Sequence, residues 1–431
     1  MKIVLSLLFT TLFSAGYGQE VMTLESAINL ALEYNYGIKI ARSNQEIAEN
    51  NNSLGNAGFL PILTLDANQN NSQVNGEQVS ERGTLEFDNE VNRSLTFGSN
   101  LNWTLFDGTR MFANRDLLES QNLQSRSALE FAIETVIYNV STNFYLASLE
   151  NERLKLLNSN LNLSEERLKI AKDKYELGKG SKLEYLQAQV DYNTDQTNII
   201  NQEQILDFQK LELLRQIGVR DTVSFQTKYD LVFDSELVLD DLLNNIEITN
   251  KEIDVFRRAT EIAALQERAS SSDRLPTVSV FAGYNYNDRL NAVGFSFEST
   301  TTALSYGYNA TITLFNGINI NRIIQNNRIN KEIADYSYEQ RLLDIETDLK
   351  QQFLSYLNSL ELIKLEEQNV LVAKENNDIA KERYEIGLSN AVEYRESQTN
   401  LIAAELRQQN AQFAAKLAEI ELKYLAGLSL K

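Results

Sequence analysis

The chain contains the same sequence plan twice, and this duplication restricts its fold more than any other feature. Leu105-Phe106-Asp107-Gly108 recurs as Leu314-Phe315-Asn316-Gly317, a separation of 209 residues (from 105 to 314). Tyr175-Glu176-Leu177-Gly178 recurs as Tyr384-Glu385-Ile386-Gly387 at the same separation. A constant separation means that neither repeat has gained or lost residues between these landmarks, as expected of a segment with a fixed length to span.

The two prolines of the chain mark the same point in each repeat. Leu60-Pro61 matches Leu275-Pro276 with a separation of 215 residues, and each pair precedes a segment of alternating apolar and polar residues. The two separations, 215 and 209 residues, differ because the two repeats differ in length between their Leu-Pro and Leu-Phe pairs. We place this difference in a loop tip, where changes in length cost little free energy.

Each repeat predicts one very long helix, because residues 109–177 and 318–386 contain neither glycine nor proline. Either span would be about 100 Å long as a single helix. Gly178 and Gly387 are predicted to end these helices as C-terminal caps at helix-turn corners. Spacings of three and four residues predict a coiled-coil seam on the first long helix, formed by Leu154, Leu157, Leu161, Leu168, Ala171 and Tyr175, with Ser164 at the remaining step.

A return helix follows each long helix, at residues 181–217 and 390–426. Both are predicted to begin with a capping box, Ser181 with Glu184 and Asn390 with Glu393. The leading helices, near Leu24–Leu54 and Leu239–Ser270, are about half as long as the long helices. A leading helix and a return helix stacked end to end would match one long helix, with the half-length ends meeting at mid-height.

The remaining segments complete the predicted domain organisation. Residues 1–18 have the charged start, apolar run and small residues of a secretory signal peptide, and no later stretch approaches the roughly 18 apolar residues of a membrane-spanning helix. The first repeat is predicted over 19–218, with a β-hairpin at about 61–106. A linker at mid-height covers 219–238, and the second repeat covers 239–431, with a β-hairpin at about 276–315.

The hairpin segments have the two-faced pattern of strands. In the clearest of them, Leu304, Tyr306, Tyr308, Ala310, Ile312 and Leu314 alternate with Ser305, Gly307, Asn309, Thr311 and Thr313. Runs of about 10 such residues fit tilted strands that cross a bilayer, although a half-buried sheet of a soluble protein gives the same alternation. Four strands are too few to close a barrel, and open edges in lipid are costly. Strands in a membrane would therefore require oligomerisation.

Composition excludes several classes of function. The chain has no cysteine and no histidine, which removes disulfides, the usual metal ligands and the commonest general base. A formal net charge of −20 opposes binding to nucleic acid. Residues 178–182 read Gly-Lys-Gly-Ser-Lys but lack the spacing of a phosphate-binding loop. No enzyme activity and no cofactor are predicted.

Four features together carry a resemblance to a known family: the duplicated plan, the Leu-Pro strand entries, the Leu-Phe-(Asp/Asn)-Gly strand exits and the Tyr-Glu-(Leu/Ile)-Gly turns. In these features the chain resembles the TolC family of outer-membrane efflux proteins, over essentially the whole mature chain. The resemblance implies a mostly α-helical homotrimer with a shared 12-stranded transmembrane β-barrel and a 12-helix α-barrel tunnel that projects into the periplasm. It also implies a periplasmic adaptor, an inner-membrane pump of the RND, ABC or MFS type, contact with outer-membrane lipid, and a passive role in efflux or type I secretion. The alternative is a soluble periplasmic helical scaffold or adaptor.

The resemblance further implies a periplasmic gate near the helix-turn corners. The family's paired acidic positions match Glu393 and Glu396, and its gate tyrosine matches Tyr384. The family's partner arginine falls on Ser389, which replaces a salt bridge by a neutral hydrogen bond. Glu184 matches the acidic position that pairs across the gate, whereas Gln187 stands where the second repeat has Glu396. For Glu184 and Glu393, helix capping is the competing role, and Tyr384 could instead pack against the turn.

Overall fold

The computed structural model describes residues 20–81, 83–220, 225–228, 231–233, 237–291 and 298–428, so the signal peptide predicted at 1–18 lies outside the described residues. The first repeat contains β1 (Glu20–Thr23), α1 (Leu24–Tyr34), α2 (Tyr36–Asn51), β2 (Ile62–Ser80), β3 (Gly83–Asp107), α3 (Arg110–Glu176) and α4 (Lys182–Ile217). The segment that follows contributes β4 (Phe225–Lys228). The second repeat contains α5 (Leu239–Thr249), α6 (Lys251–Ser271), a 3-10 turn (Ser272–Arg274), β5 (Thr277–Leu290), β6 (Glu298–Thr311), α7 (Asn319–Glu385) and α8 (Ala391–Leu425).

The long helices α3 and α7 have 67 residues each. Each ends just before a glycine in the left-handed region, with φ of 69° at Gly178 and 81° at Gly387. The backbone N–H of Lys179 donates to the carbonyl of Lys174, and that of Leu388 donates to the carbonyl of Arg383, each at 2.8 Å. These bonds satisfy carbonyls at the helix ends and reverse the chain into α4 and α8.

The buried line of α3 near this corner differs from the predicted leucine seam. Leu154, Leu157, Leu161 and Leu168 are only half-buried. Ser164 and Ala171 of the predicted seam are buried, together with Asn160 and Arg167, which the prediction did not include. Spacings of four, three and four residues are kept, so the period was correct. The prediction was wrong about the centre of the seam, because buried hydrogen bonds and ion pairs let polar side chains occupy it.

Each leading helix is broken in two, whereas the sequence predicted one continuous helix. The breaks fall at Asn35, between α1 and α2, and at Asn250, between α5 and α6. The Asn35 side-chain oxygen accepts from the N–H of Gly37 at 2.7 Å, and its amide Nδ2 donates to the carbonyl of Gln216 at 2.6 Å. Asn250 Nδ2 likewise donates to the carbonyl of Leu425 at 2.8 Å. An asparagine at each break therefore caps the C-terminal end of the return helix.

The predicted strands form one antiparallel sheet in the order β2-β3-β5-β6. Its register places the apolar residues on a single face, with Leu63 opposite Leu101, Leu101 opposite Ala282, and Ala282 opposite Tyr306. The side chains of this face are exposed on the outer strands and partly half-buried on the inner ones, and Tyr306 and Tyr308 each retain 79% of their accessible surface. The opposite face is polar and internally hydrogen-bonded, for example between Asn100 and Asp66 at 2.9 Å.

Phe281 is the one aromatic side chain that breaks the alternation of β5, and the register explains it. Phe281 lies directly opposite Gly307 on the polar face. A Cβ atom at Gly307 would lie 3.0 Å from the ring of Phe281, so the ring covers the surface that a side chain would otherwise occupy. A glycine opposite an aromatic residue is a recurrent stabilising pair in sheets.

The strand lengths differ from the predicted runs of about 10 residues. β2 and β3 have 19 and 25 residues, whereas β5 and β6 have 14 each. β6 ends at Thr311, four residues before the predicted end of the hairpin at 315. Thr311 is opposite Thr277, which follows Pro276. Because proline lacks the backbone N–H needed for the next ladder bond, β5 offers no further pairing there.

The described chain divides into two compact units. The described residues of one lie within 20–40, 132–250 and 345–428, and those of the other within 41–131 and 251–344. The first unit contains the parallel pair of β1 with β4, a strand inside the predicted linker that the sequence analysis missed. Its core contains Ala27, Ile28, Ala31, Val140, Phe144, Tyr145, Leu149, Leu213, Leu214, Ile217, Phe225, Phe413 and Ile420.

The second unit contains the four-stranded sheet, helix α6 and the part of α2 that follows Ile40. Trp103 Nε1 on β3 donates to the carbonyl of Phe59 at 2.9 Å. On α6, Asp254 contacts Ser127 and forms an ion pair with Arg258 at 3.0 Å. Burial acts to raise the pKa of Asp254, but the hydrogen bonds from Ser127 and the arginines outweigh burial and lower the pKa. Asp254 is therefore ionised and fastens α6 to α3.

Among the described helices, none combines the length and the apolar character that crossing a membrane would require.

Candidate functional site

The two helix-turn corners bring most of the predicted gate residues together. Ser181 Oγ accepts from the backbone N–H of Glu184 at 3.2 Å, and Asn390 Oδ1 accepts from that of Glu393 at 2.9 Å. Both glutamates are thus placed in the first turn of a return helix by a side-chain cap, as the sequence indicated. The N-cap interaction fixes the backbone, and leaves the carboxylates to interact elsewhere.

The carboxylate of Glu393 does not complete a reciprocal capping box. It accepts from the hydroxyl of Ser389 at 2.8 Å, and Arg383 lies 3.9 Å away. Both partners belong to the same hairpin as Glu393. Arg383 approaches Glu393 from the last turn of α7. With both side chains about half exposed, this ion pair is worth less than about 1 kcal/mol.

Tyr384 is buried, with 2% of its surface accessible. Its ring stacks on Tyr394 at a centroid distance of 5.6 Å, and its hydroxyl has no hydrogen-bond partner within the part of the chain that the structure describes. Burial raises the pKa of Tyr384, and the nearby charge of Glu184 adds to the effect. Tyr384 is thus a neutral, packed side chain, and Ser389 is hydrogen-bonded to Glu393 rather than to it.

Lys174 joins the first hairpin to Tyr384 of the second. Its Nζ atom donates to the carbonyl of Tyr384 at 2.7 Å and lies 3.8 Å from the centroid of the tyrosine ring. The cation therefore meets both the negative end of α7 and the face of an aromatic ring, two interactions that reinforce each other. Nothing in the local sequence marks this lysine, because its partner lies 210 residues away.

A second tie between the hairpins consists of buried ion pairs. Arg395 on α8 forms two hydrogen bonds with the carboxylate of Asp195 on α4, each at 2.9 Å, and Asp195 also contacts Ser164. Burial acts to lower the pKa of Arg395, but the hydrogen bonds and charge of Asp195 outweigh burial and raise the pKa. Within the first hairpin, Arg167 on α3, with 2% of its surface accessible, pairs with Asp191 on α4. Arg395 lies 3.9 Å from the same Asp191 carboxylate, so this pair also contacts the second hairpin.

These charges could have been found by comparing the two repeats. At the separation of 209 residues, Asp195 corresponds to Ala404, and Arg395 corresponds to Leu186. Each charge is therefore present in one repeat and absent from the other. Complementary charges that appear singly in the two halves of a duplication indicate that the halves contact each other.

Two of the three predicted acidic positions, Glu184 and Glu396, border a cavity of about 430 Å³ between the starts of α4 and α8. Glu184 and Gln187 line it from α4, and Glu396 lines it from α8. Arg167 and Arg395 contribute positive charge to the same wall. The structure thus brings Glu184 and Glu396 together, and directs the carboxylate of Glu393 to Ser389 and Arg383 instead.

A mostly helical chain with two helical hairpins and an open amphipathic β-sheet has the architecture of an outer-membrane channel subunit. A family model described as "Outer membrane efflux protein" matches residues 27–219 and 242–428, and the chain belongs to this family. The resemblance drawn from the repeated motifs is thereby confirmed, as is the outer membrane as its location. The chain is an exit duct for efflux or secretion, which decides against the periplasmic scaffold.

Individual relatives are distant in sequence but similar in fold. The chain is 22% identical over 391 residues, 86% of its length, to the proteases secretion protein PrtF of Dickeya chrysanthemi, of which 80% is covered. The outer membrane protein VceC of Vibrio cholerae matches with a TM-score of 0.75 at 17% identity, covering 95% of this chain and 97% of VceC. The CmeC outer membrane channel of Campylobacter jejuni matches with a TM-score of 0.78 at 16% identity, covering 94% of this chain and 85% of CmeC. These structural matches establish the fold.

Proposed function

We propose that three copies of the chain close a 12-stranded barrel in the outer membrane and a 12-helix tunnel below it. The observation that carries the proposal is the open sheet, whose apolar face is exposed and whose edge strands are β2 and β6. Four antiparallel strands place β2 and β6 in opposite directions. β6 of one copy would therefore continue the antiparallel pattern with β2 of the next, and ring closure would leave no backbone group unpaired in lipid.

Disulfide trapping tests this closure, because the chain has no native cysteine. Leu65 on β2 and Leu304 on β6 lie on the apolar face, in one cross-strand row with Ser99 and Tyr284. Three strand spacings, about 14 Å, separate them within a chain, which exceeds the reach of a disulfide. A bond between a cysteine at 65 and one near 304 can therefore form only between copies.

Paired variants should carry Leu65→Cys with Leu304→Cys, Tyr306→Cys or Tyr308→Cys, to allow for the stagger of the barrel. We expect at least one pair to yield covalent trimers on oxidation of isolated outer membranes. The single-cysteine variants are the matched controls and should yield none. A monomer that stays unlinked in every pair, and that shows no heat-sensitive trimer in detergent, would contradict the proposal.

We further propose that the helix-turn corners form the periplasmic gate, with Glu393 and Glu396 as rings of carboxylates. Three copies would project six such groups, and acidic rings favour cations. The double variant Glu393→Ala with Glu396→Ala should lower the cation selectivity measured in planar bilayers. Glu375→Ala, an exposed acid of α7 about three turns before the corner, is the control and should change it little. Unchanged selectivity in the double variant would exclude these positions as the constriction.

Within each subunit, Lys174 and Arg395 take the part of the latch in this proposal. The lysine holds the carbonyl and ring of Tyr384, and the arginine holds Asp195. Both contacts join the α3–α4 hairpin to the α7–α8 hairpin. A periplasmic adaptor and an inner-membrane pump of the RND, ABC or MFS type would complete the system and supply its energy, and the duct itself would conduct passively.

A further inference from the structure

The first β-hairpin extends well beyond the four-stranded sheet. β5 pairs with β3 only from Arg93 onward, whereas β2 and β3 remain paired from Ser72 opposite Asn92 to Ser80 opposite Gly83. Residues 72–80 and 83–92 therefore form a two-stranded ribbon, which we call the tip ribbon. At about 3.4 Å per residue it is about 30 Å long. An isolated two-stranded hairpin is marginal in stability, so this length calls for a packing partner.

A β-bulge reverses the polarity of the hairpin inside the tip ribbon. Val74 pairs with Glu90 and Gly76 pairs with Phe87, so β3 contains one more residue than β2 at this point. Asn89 at the bulge has a φ of 58°, and its N–H donates to the side chain of Asn75. Because side chains alternate between faces, one inserted residue exchanges the two faces of β3.

The two faces of the tip ribbon consequently differ from those of the sheet below. The face that continues the exposed apolar side carries Glu77 directly opposite Glu86. The face that continues the polar side carries Val74, Leu85 and Phe87, together with Gln78, Ser80 and Glu90, which lies opposite Val74. A Cβ atom at Gly76 would lie 3.4 Å from the ring of Phe87, so that glycine lets the ring lie flat across the strand pair. Leu85 has 57% of its surface exposed within the single chain.

We propose that the tip ribbons of three copies fold inward and pack their Val74, Leu85 and Phe87 faces on one another, forming a cover over the outer mouth of the barrel. This inference rests on the proposed trimer. Twelve strands about 4.8 Å apart and tilted by about 40° enclose a radius of about 12 Å, so each tip ribbon is long enough to reach the axis. The acidic face with Glu77 and Glu86 then meets water, and the apolar face meets its own copies rather than lipid.

Cysteine trapping distinguishes the two faces of the tip ribbon. Leu85→Cys places one thiol per copy on the face predicted to be inside. Val79→Cys is the matched control, because Val79 pairs with Thr84 on the opposite face and is 72% exposed. On oxidation of outer membranes with copper phenanthroline, L85C should form covalent dimers severalfold more than V79C. Gln78→Cys, directly opposite Leu85 on the same face, should behave as L85C does and provides a second variant should L85C not assemble.

The outcomes separate this inference from the proposed function. Heat-sensitive trimers in which L85C and Q78C cross-link no more than V79C would overturn the cover and leave the channel intact. A chain that forms no trimer in any variant would overturn both. Cross-linking confined to the inner face, in trimers as heat-sensitive as the parent protein, would support the cover.

Discussion

Replacing Asn250 tests whether the paired asparagines join the helices at the break in each leading helix. Asn250 is 6% exposed, and its Nδ2 donates to the carbonyl of Leu425 at 2.8 Å. Asn250→Ala leaves that buried carbonyl without its donor, at a cost of about 1–3 kcal/mol. Asn250→Asp adds an anion beside the negative end of α8, worth about a further 0.3–1 kcal/mol. We therefore expect the aspartate variant to be the less stable of the two.

The measurement is helical circular dichroism during heating of the purified protein in detergent. For chains of 150–250 residues, a loss of about 1 kcal/mol lowers the melting midpoint by about 2–4 °C, and the midpoint of a longer chain changes less. We therefore expect the midpoint to fall by about 2–5 °C for Asn250→Ala and by more for Asn250→Asp. Asn245→Ala is the control, because Asn245 is exposed and donates to the carbonyl of Asp241 within its own helix. If both Asn250 variants melted at the same temperature as the control, Asn250 would not join the helices.

Three further substitutions follow from local geometry. Lys174→Met removes a contact worth about 2 kcal/mol, so the ratio of closed to open channels in planar bilayers should fall roughly 30-fold, and Lys172→Met should change it little. Gly427→Ala should lower the melting midpoint more than Gly387→Ala. Both glycines have positive φ, but a Cβ atom at position 427 would lie 2.5 Å from the Thr249 backbone, whereas a Cβ atom at position 387 would meet open space. Ile318→Gly should stabilise the protein by about 1 kcal/mol and so raise its melting midpoint, because an isoleucine at a φ of 68° is strained. A lower midpoint would contradict that strain.

The parts of the fold that the sequence predicted are those governed by local periodicity. The glycines at 178 and 387 lie at positive φ and end helices of 67 residues, because only that backbone conformation closes the turn at low cost. The alternating faces of the strands also follow from the sequence alone, since a strand has a period of two. Phe281 was an exception until its partner Gly307 was known.

The parts that the sequence analysis missed depend on residues far apart in the chain. An asparagine is tolerated inside a helix, so nothing local marks Asn35 or Asn250 as a break. Their partners, the carbonyls of Gln216 and Leu425, lie 181 and 175 residues away. The same holds for Lys174 and Tyr384. Apart from Ser164, the predicted seam of α3 was apolar or aromatic, but Asp191 provides the partner that allows Arg167 to be buried there.

The duplication has diverged at its two corners, and the divergence limits how a partner can bind. Tyr384 is 2% exposed and held by Lys174, whereas its counterpart Tyr175 is 40% exposed and stacks on Tyr185. A trimer would thus present six helical corners of two chemically distinct kinds in alternation. A partner protein that attaches to all six corners must either use two binding modes or bind as three asymmetric pairs. A partner protein that recognises only one kind of corner would saturate at three copies per duct.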